Sequence, residues 1–144
     1  FDVMAEAGIL YDSSIVPLTG MGIRGFKKYP HKIETSHGEI YEFPLTTSRL
    51  FWEGIPFTGG LPLRITPHFF VLSEMKRINN KGFPCISYIH PWEFDIEQPE
   101  LDLPLSRRFM HYFNLKAAPK KIRGLLENFR FAPIKDVLNI GDEK

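Results

Sequence analysis

The sequence predicts an α/β fold, because one arrangement of elements occurs twice along the chain. The first copy is a helix-like segment that ends at Gly8, followed by a short strand with Asp12 at its polar end. The second copy is a helix that ends at Gly82, a strand over residues 85–89, and His90 at its end. A helix, a glycine, a strand and a polar strand end together make one unit of an α/β barrel.

Composition and charge limit the range of functions. The 144 residues are 43% apolar and 14% aromatic, which is enough for one core, so residues 1–144 are predicted to form a single unit. With 18 basic and 17 acidic residues, the chain offers no electrostatic case for a nucleic acid partner. No apolar run approaches the roughly 18 residues of a membrane span. The single cysteine, Cys85, excludes an internal disulfide and leaves the compartment open.

The first half of the chain predicts a helix end, a hairpin and two long loops. Residues 1–8 have the composition of a helix's last turns, so we expect the protein to extend upstream of them. Residues 32–43 alternate about a turn and predict a hairpin, and residues 46–52 suggest a further strand. Residues 17–30 and 53–63 are rich in glycine and proline and predict loops.

The second half of the chain predicts helices around the central strand. Thr66 as cap and Pro67 as first residue predict a helix that runs to Gly82. Apolar periodicity predicts two more helices, and both apolar stripes are interpreted as core. The remaining predictions are an aromatic helix over 105–113, a helix from Pro119 to Phe129, a strand over 129–131, a short helix over 133–138, and fraying over 139–144.

The central strand ends in a motif that could carry chemistry. Cys85 to Ile89 is nearly all apolar, which fits an interior strand of a parallel sheet. Pro91 cannot donate to a ladder, so the strand should end near His90. A histidine at a strand's carboxyl end can hand a proton to a leaving group, and Glu93 could orient its ring. The alternative is a core histidine whose nitrogens bind the backbone.

A metal site within these residues is not predicted. The five histidines include no pair at the spacing that helical zinc ligands use. His31 and His37 could approach each other in the hairpin, whereas His68 and His111 are expected to be partly exposed surface residues. Six polar or aromatic side chains are instead expected to face one groove, whose character suits carbohydrate. They are Asp12, Glu42, Arg64, His90, Trp92 and Glu93.

Several segments resemble a known enzyme family. They are residues 1–8, Tyr11-Asp12-Ser13-Ser14-Ile15, Glu42-Phe43-Pro44, Gly59-Gly60 with Arg64, and Tyr88-Ile89-His90-Pro91-Trp92-Glu93. The chain resembles the C-terminal part of bacterial polysaccharide deacetylases, the carbohydrate esterases of family 4 with the NodB homology domain. The most similar branch occurs with exopolysaccharide and exosortase systems. The resemblance covers nearly the whole chain and extends to residues 109–115 and 125–129.

The resemblance implies a fold, a reaction and roles for named residues. The fold would be the C-terminal portion of a distorted (β/α) barrel, with residues 1–93 as barrel elements and 94–144 as closing helices and strand. The reaction would be removal of N-acetyl groups from a polymeric amino sugar. His90 matches the general acid, and Asp12 a supporting carboxylate. Ile86 and Tyr88 would line the acetyl pocket, and Trp92 the groove.

The resemblance also implies what these residues do not supply. The family's catalytic aspartate and its ligands for a divalent metal, usually zinc, belong to an N-terminal half that has no counterpart here. We therefore expect a soluble bacterial protein that is inactive alone and that self-associates or contacts the missing half. Two alternatives are a non-catalytic module that binds polymer or protein, and part of a barrel amidase that acts on small amides.

Overall fold

The chain adopts a mixed α/β fold with small sheets and helices, in a computed structural model that describes residues 1–17, 26–48 and 54–140. The strands are β1 (Tyr11–Asp12), β2 (His31–Thr35), β3 (Gly38–Glu42), β4 (Thr47–Ser48) and β5 (Ile55–Pro56). The helices are α1 (Asp2–Glu6), α2 (Gly60–Ile65), α3 (His68–Asn79), α4 (Leu105–Tyr112), α5 (Ala117–Asn128) and α6 (Ile134–Val137), with a 3₁₀ helix over Pro91–Phe94.

The larger sheet has the strand order β1-β3-β2 and contains the predicted hairpin. β2 and β3 pair antiparallel, and Gly38 takes the positive φ that the connection needs, so the hairpin prediction is confirmed. β1 pairs parallel to β3 and sets Asp12 beside Glu42. α1 ends at Glu6, and Gly8 follows it with a φ of 77°, the left-handed closing conformation that the sequence predicts. This sheet therefore brings two carboxyl groups from distant parts of the chain side by side.

The core lies where α2, α3 and α5 pack together. Its buried members are Phe57, Leu63, Val71, Met75, Ile78, Ala118, Ile122 and Leu125. The predicted apolar faces of α3 and α5 supply five of these eight residues, which confirms that both helices face the core, although Leu126 of the predicted α5 face is 60% exposed. The two helices approach closely at Gly124, where an added Cβ would lie 2.3 Å from the His68 ring. This helical layer supports the segment that carries the candidate site.

A half-buried cation connects two helices through backbone carbonyl groups. Lys121 of α5 donates from Nζ to the carbonyl oxygens of Leu63, Arg64 and Thr66, at 2.6 to 2.8 Å. The last carbonyls of a helix have no partner within the helix, so a cation at this position satisfies them. Burial lowers the pKa of the Lys121 ammonium. Lys121 thereby holds the C-terminal end of α2 against α5.

The central strand predicted over 85–89 does not form. Within the described part of the chain, the segment makes only an isolated parallel bridge, between Tyr88 and Gly59. The N–H of Ile86 donates to the hydroxyl of Thr46 at 2.7 Å, so a side chain takes the place of a strand neighbour. The prediction of an interior strand depended on apolar composition alone. It therefore did not anticipate that a side-chain hydroxyl would compete with a neighbouring strand for the backbone N–H. The barrel stays a prediction.

Other elements differ from prediction in position or burial. The expected loop over 53–63 contains β5 and the start of α2, and the helix predicted from Pro67 begins at His68, without a hydrogen bond from the Thr66 side chain. Residues 129–131 form no strand. The predicted strand over 46–52, the loop over 17–30 and the terminus over 139–144 lie partly outside the described residues. Among the described helices, none is long and apolar enough to span a membrane.

The apolar stripe of α4 is exposed, although its periodicity predicts a core position. Leu105 is 85% exposed, and Phe109, Met110 and Phe113 are 43 to 55% exposed. The helix itself forms as predicted, over Leu105–Tyr112. Its position follows from hydrogen bonds that Arg64 donates to carbonyls at its C-terminal end rather than from its apolar face. An apolar stripe therefore remains on the surface of the described chain.

Candidate functional site

His90 stands at the entrance to the 3₁₀ helix that begins at Pro91. Its backbone N–H donates to Glu93 Oε2 at 3.1 Å, and its carbonyl accepts from the Glu93 N–H at 3.0 Å. Proline suits the first helical position, because its fixed φ fits and its missing N–H has no partner there in any case. The short motif His90-Pro91-Trp92-Glu93 thus fixes its own backbone, and with it the direction of the imidazole.

The two nitrogens of the His90 ring have different surroundings. Nε2 lies 2.6 Å from the hydroxyl of Tyr88, whose residue is 49% exposed. Nδ1 is buried, has no hydrogen-bond partner, and lies 3.6 Å from Glu93 Oε2. Nδ1 thus faces a buried carboxylate, whereas Nε2 lies on the side of the exposed Tyr88 hydroxyl. Only Nε2 is therefore placed to exchange a proton with a ligand.

Glu93 forms a buried ion pair with Arg64 beneath the histidine. Glu93 Oε1 and Arg64 Nε are 3.1 Å apart, without the angle of a hydrogen bond, and the side chains are 2% and 1% exposed. The terminal nitrogens of Arg64 donate to the carbonyl oxygens of Met110, His111 and Phe113, at 2.7 to 2.8 Å. Burial lowers the pKa of Arg64, and the charge of Glu93 opposes that shift. Arg64 was expected to face a groove, and its side chain is buried between Glu93 and the C-terminal end of α4.

Trp92 lies between two histidine rings. Its ring centroid is 5.3 Å from that of His90 and 4.2 Å from that of His111, and both pairs are nearly parallel. The Arg64 guanidinium lies 5.5 Å from the same indole. Gln98 donates its amide to the Trp92 carbonyl and accepts at Oε1 from His111, with an Nε2 to Oε1 distance of 2.8 Å. The stacked rings form one wall of the site.

Sequence reasoning missed His111 and Gln98. His111 was expected to be partly exposed, and it is, but its stacking against Trp92 was not predicted. It reaches the site because Arg64 binds the end of α4, and no local spacing in the sequence records that contact. Tyr88 reaches the site through its bridge to Gly59, where an added Cβ would lie 1.8 Å from the Tyr88 carbonyl oxygen. Gly59 is the one feature of the sequence that indicates this close contact between the two backbones.

Asp12 and Glu42 form a separate pair of carboxyl groups in the larger sheet. Glu42 is fully buried and accepts from the N–H of Ile15 at 3.1 Å, while its Oε2 has no partner. Burial, and then Asp12, raise the pKa of Glu42 to about 7. Burial also acts to raise the pKa of Asp12, but hydrogen bonds from Ser14 and the contact with Glu42 outweigh it and lower that pKa. Asp12 therefore ionises first, and Glu42 keeps its proton.

The predicted site residues thus fall into two groups. Described contacts unite Arg64, Tyr88, His90, Trp92 and Glu93, and a second set joins Asp12 to Glu42. Between these groups no hydrogen bond or ion pair is found in the described ranges. Ile86 lies two residues before Tyr88 and is tied through its backbone to Thr46. Contact of any of these residues with substrate stays a prediction.

The metal that the resemblance implies would need a cluster of ligating side chains. Within residues 1–17, 26–48 and 54–140, no group of three or more His, Cys, Asp or Glu side chains could hold a metal ion. The described residues therefore do not fit the ligand set of such a metal. No step of the chemistry proposed for this chain passes through one.

Comparison with protein families gives one description of the chain. A family model described as "Domain of unknown function (DUF3473)" matches residues 13–139. This range contains Glu42 and the whole group around His90, and begins directly after Asp12. Neither the curated proteins nor the solved structures give a match.

Proposed function

We propose that this chain, which belongs to the DUF3473 family, is the C-terminal part of a metal-dependent polysaccharide N-deacetylase. The family is known as the C-terminal part of polysaccharide deacetylase-associated proteins, which supports this assignment. The chain would supply the general acid, His90. The resemblance assigns the metal and the base to the N-terminal half of such enzymes, so the proposed role of this chain is limited to the leaving group.

The observation that carries the proposal is the asymmetry of the His90 ring. Its side chain is 37% exposed, whereas Glu93, which faces Nδ1, is 2% exposed. A histidine that acts as general acid needs one nitrogen that reaches the ligand and a partner that orients the ring. Nε2 meets the first need and Glu93 meets the second. A histidine with only a packing role would not need this division between its nitrogens.

In the proposed step, His90 protonates the leaving amine. As the carbon–nitrogen bond of the acetamido group breaks, the nitrogen takes the proton from Nε2, and the imidazole becomes neutral. The amine must occupy the place that the Tyr88 hydroxyl holds at 2.6 Å, so Tyr88 yields this place when substrate binds. Arg64 and Glu93 act as positioning residues, because they hold the ring without reaching the surface.

The test compares acetate release from an oligomer of N-acetylglucosamine, with added zinc, by this chain and by the protein extended upstream through the metal-bearing half. We expect activity only in the extended protein. There, His90→Ala should lower turnover by roughly 10²-fold or more and leave the zinc content unchanged. His37→Ala, on the exposed hairpin turn, is the matched control.

Three results would contradict the proposal. Equal loss of zinc and turnover in His90→Ala would make the histidine a metal ligand rather than the acid. Saturable oligosaccharide binding that Trp92→Ala abolishes, without acetate release by the extended protein, would indicate a non-catalytic module. Faster cleavage of a small amide than of the oligomer would indicate the amidase alternative.

A further inference from the structure

A cavity of about 560 Å³ is lined by residues outside the group around His90. It forms between the segment before β2, the start of β4 and the C-terminal end of α3. Its volume is within the range of small-molecule sites. The described residues that line it include five basic side chains and no acidic one. These basic residues are Lys27, Lys28, His31, Arg77 and Lys81.

Aromatic rings form the apolar part of this cavity. Tyr29 and Phe83 stack with their centroids 3.7 Å apart and their planes 6° apart, and Tyr29 packs on the core. The His31 ring contacts Phe26, and its Nδ1 donates to the Tyr29 carbonyl at 2.9 Å. Since a carbonyl only accepts, Nδ1 carries the proton, and Nε2 is the nitrogen left for a ligand. The rings are therefore held in place before any ligand binds.

The positive charge of the cavity is only partly neutralised. Arg77 donates to both oxygens of Glu74, with Nε to Oε1 at 3.0 Å and Nη2 to Oε2 at 2.9 Å, and Glu74 is buried behind it. Lys27 and Lys81 are exposed at the cavity wall. These two lysines leave the lining with an excess of positive charge, although the whole chain carries a net charge of only +1.

We infer that this cavity binds an acidic sugar residue, a pyranose ring that carries a carboxylate. Lysine ammonium groups bind the carboxylate, and Phe83, which is 37% exposed, offers the face turned away from Tyr29 to the apolar face of the pyranose. The carbohydrate class rests on the proposed function, whereas the negative charge rests on the cavity itself. An anionic unit held here would anchor the polymer at a distance from the reacting acetamido group.

The experiment titrates the chain with three probes by isothermal calorimetry. These are a tetramer of galacturonic acid, a tetramer of N-acetylglucosamine and inorganic phosphate. We expect saturable binding of the uronate that weakens as salt is raised, and clearly weaker binding of the other two. The double variant Lys27→Glu, Lys81→Glu should weaken uronate binding about ten-fold or more.

The matched control is Lys120→Glu, Lys135→Glu, which makes the same change in net charge at exposed positions outside the cavity lining. Should the charge-reversed pair fail to fold, Lys27→Gln, Lys81→Gln replaces it. The inference would be overturned if uronate binding weakened equally in the control variant. It would also be overturned if the chain bound no uronate, or if it bound phosphate as tightly as the uronate. His90→Ala should leave uronate binding unchanged, so the failure of the deacetylase proposal and the failure of this one are separate results.

Discussion

Glu42 is the residue whose ionisation should make the stability of this fold depend on pH. Its folded-state pKa is raised from 4.5 to about 7, so between these values the folded state binds the proton more tightly than the unfolded state. Its contribution is complete below about pH 4.5 and is lost as the pH rises through 7. We expect the free energy of unfolding to fall by on the order of 3 kcal/mol from pH 5 to pH 8.

Urea denaturation across this pH range measures the effect. The glutamine in Glu42→Gln keeps the shape of the side chain and can donate to Asp12. The variant should therefore lose most of the pH dependence of its free energy of unfolding. Glu34→Gln, on the neighbouring strand β2, is the control and should leave it unchanged. A chain with Glu42 that is equally stable at pH 5 and pH 8 would contradict the assignment.

At the scale of single residues, the site motif is the part that the sequence predicts well. His90, Trp92 and Glu93 lie within four positions, and their contacts with one another follow from a local turn that Pro91 begins. The contact between Asp12 and Glu42 follows from the parallel pairing of β1 and β3, and their place in the same groove as His90 stays a prediction. This contact joins distant parts of the chain, so it depends on tertiary structure, which local pattern does not encode.

At the scale of elements, Arg64 determines where α4 ends. Its guanidinium satisfies three carbonyls of the last turn, and such carbonyls would otherwise be left without partners. Lysine has no planar fork, so Arg64→Lys should lose most of these bonds and weaken the pairing with buried Glu93. We expect a loss of stability on the order of 3 kcal/mol.

Thermal and urea unfolding of Arg64→Lys measure this loss. Arg123→Lys, at an exposed position of α5, makes the same chemical change and should alter stability by less than about 0.5 kcal/mol. Near-UV circular dichroism should also change in Arg64→Lys, because Trp92 lies against the guanidinium. Identical unfolding curves for the two variants would show that the planar guanidinium of Arg64 contributes nothing to the stability of the fold.

Helices and the hairpin could be predicted because local signals specify them. Gly8, Gly38 and Gly82 each take positive φ where an element ends or turns, and this preference is visible in the sequence. The predicted strands over 85–89 and 129–131 failed for a different reason. Strand pairing needs a partner from elsewhere, and apolar composition does not say whether one is present. The start of α2 within an apparent loop was hidden by its glycine and proline.

At the scale of the whole molecule, the exposed stripe of α4 should lead to self-association. Four apolar side chains, Leu105, Phe109, Met110 and Phe113, are 43 to 85% exposed on one short segment. Contiguous apolar patches of this kind are uncommon on isolated monomers. We expect a second copy of the chain to cover the stripe, so that the average mass in sedimentation rises with concentration.

The variant Leu105→Glu, Met110→Glu should return the chain to a monomer in the same experiment. Ser106→Glu with Asn79→Glu adds the same charge at exposed polar positions and should leave the association unchanged. A mass that stays at 16.7 kDa over the whole concentration range would contradict the expectation.

The hydrogen bonds of Lys121 have a consequence for the chemical reactivity of the folded chain. An amine attacks an acylating reagent through a free lone pair, but the half-buried ammonium of Lys121 donates to three carbonyl oxygens at the C-terminal end of α2. Its neighbour Lys120 is exposed. Brief acetylation followed by peptide mass spectrometry should therefore label Lys120 and spare Lys121. As the fold opens, the second label should appear, so that two adjacent lysines report the unfolding of the helical layer.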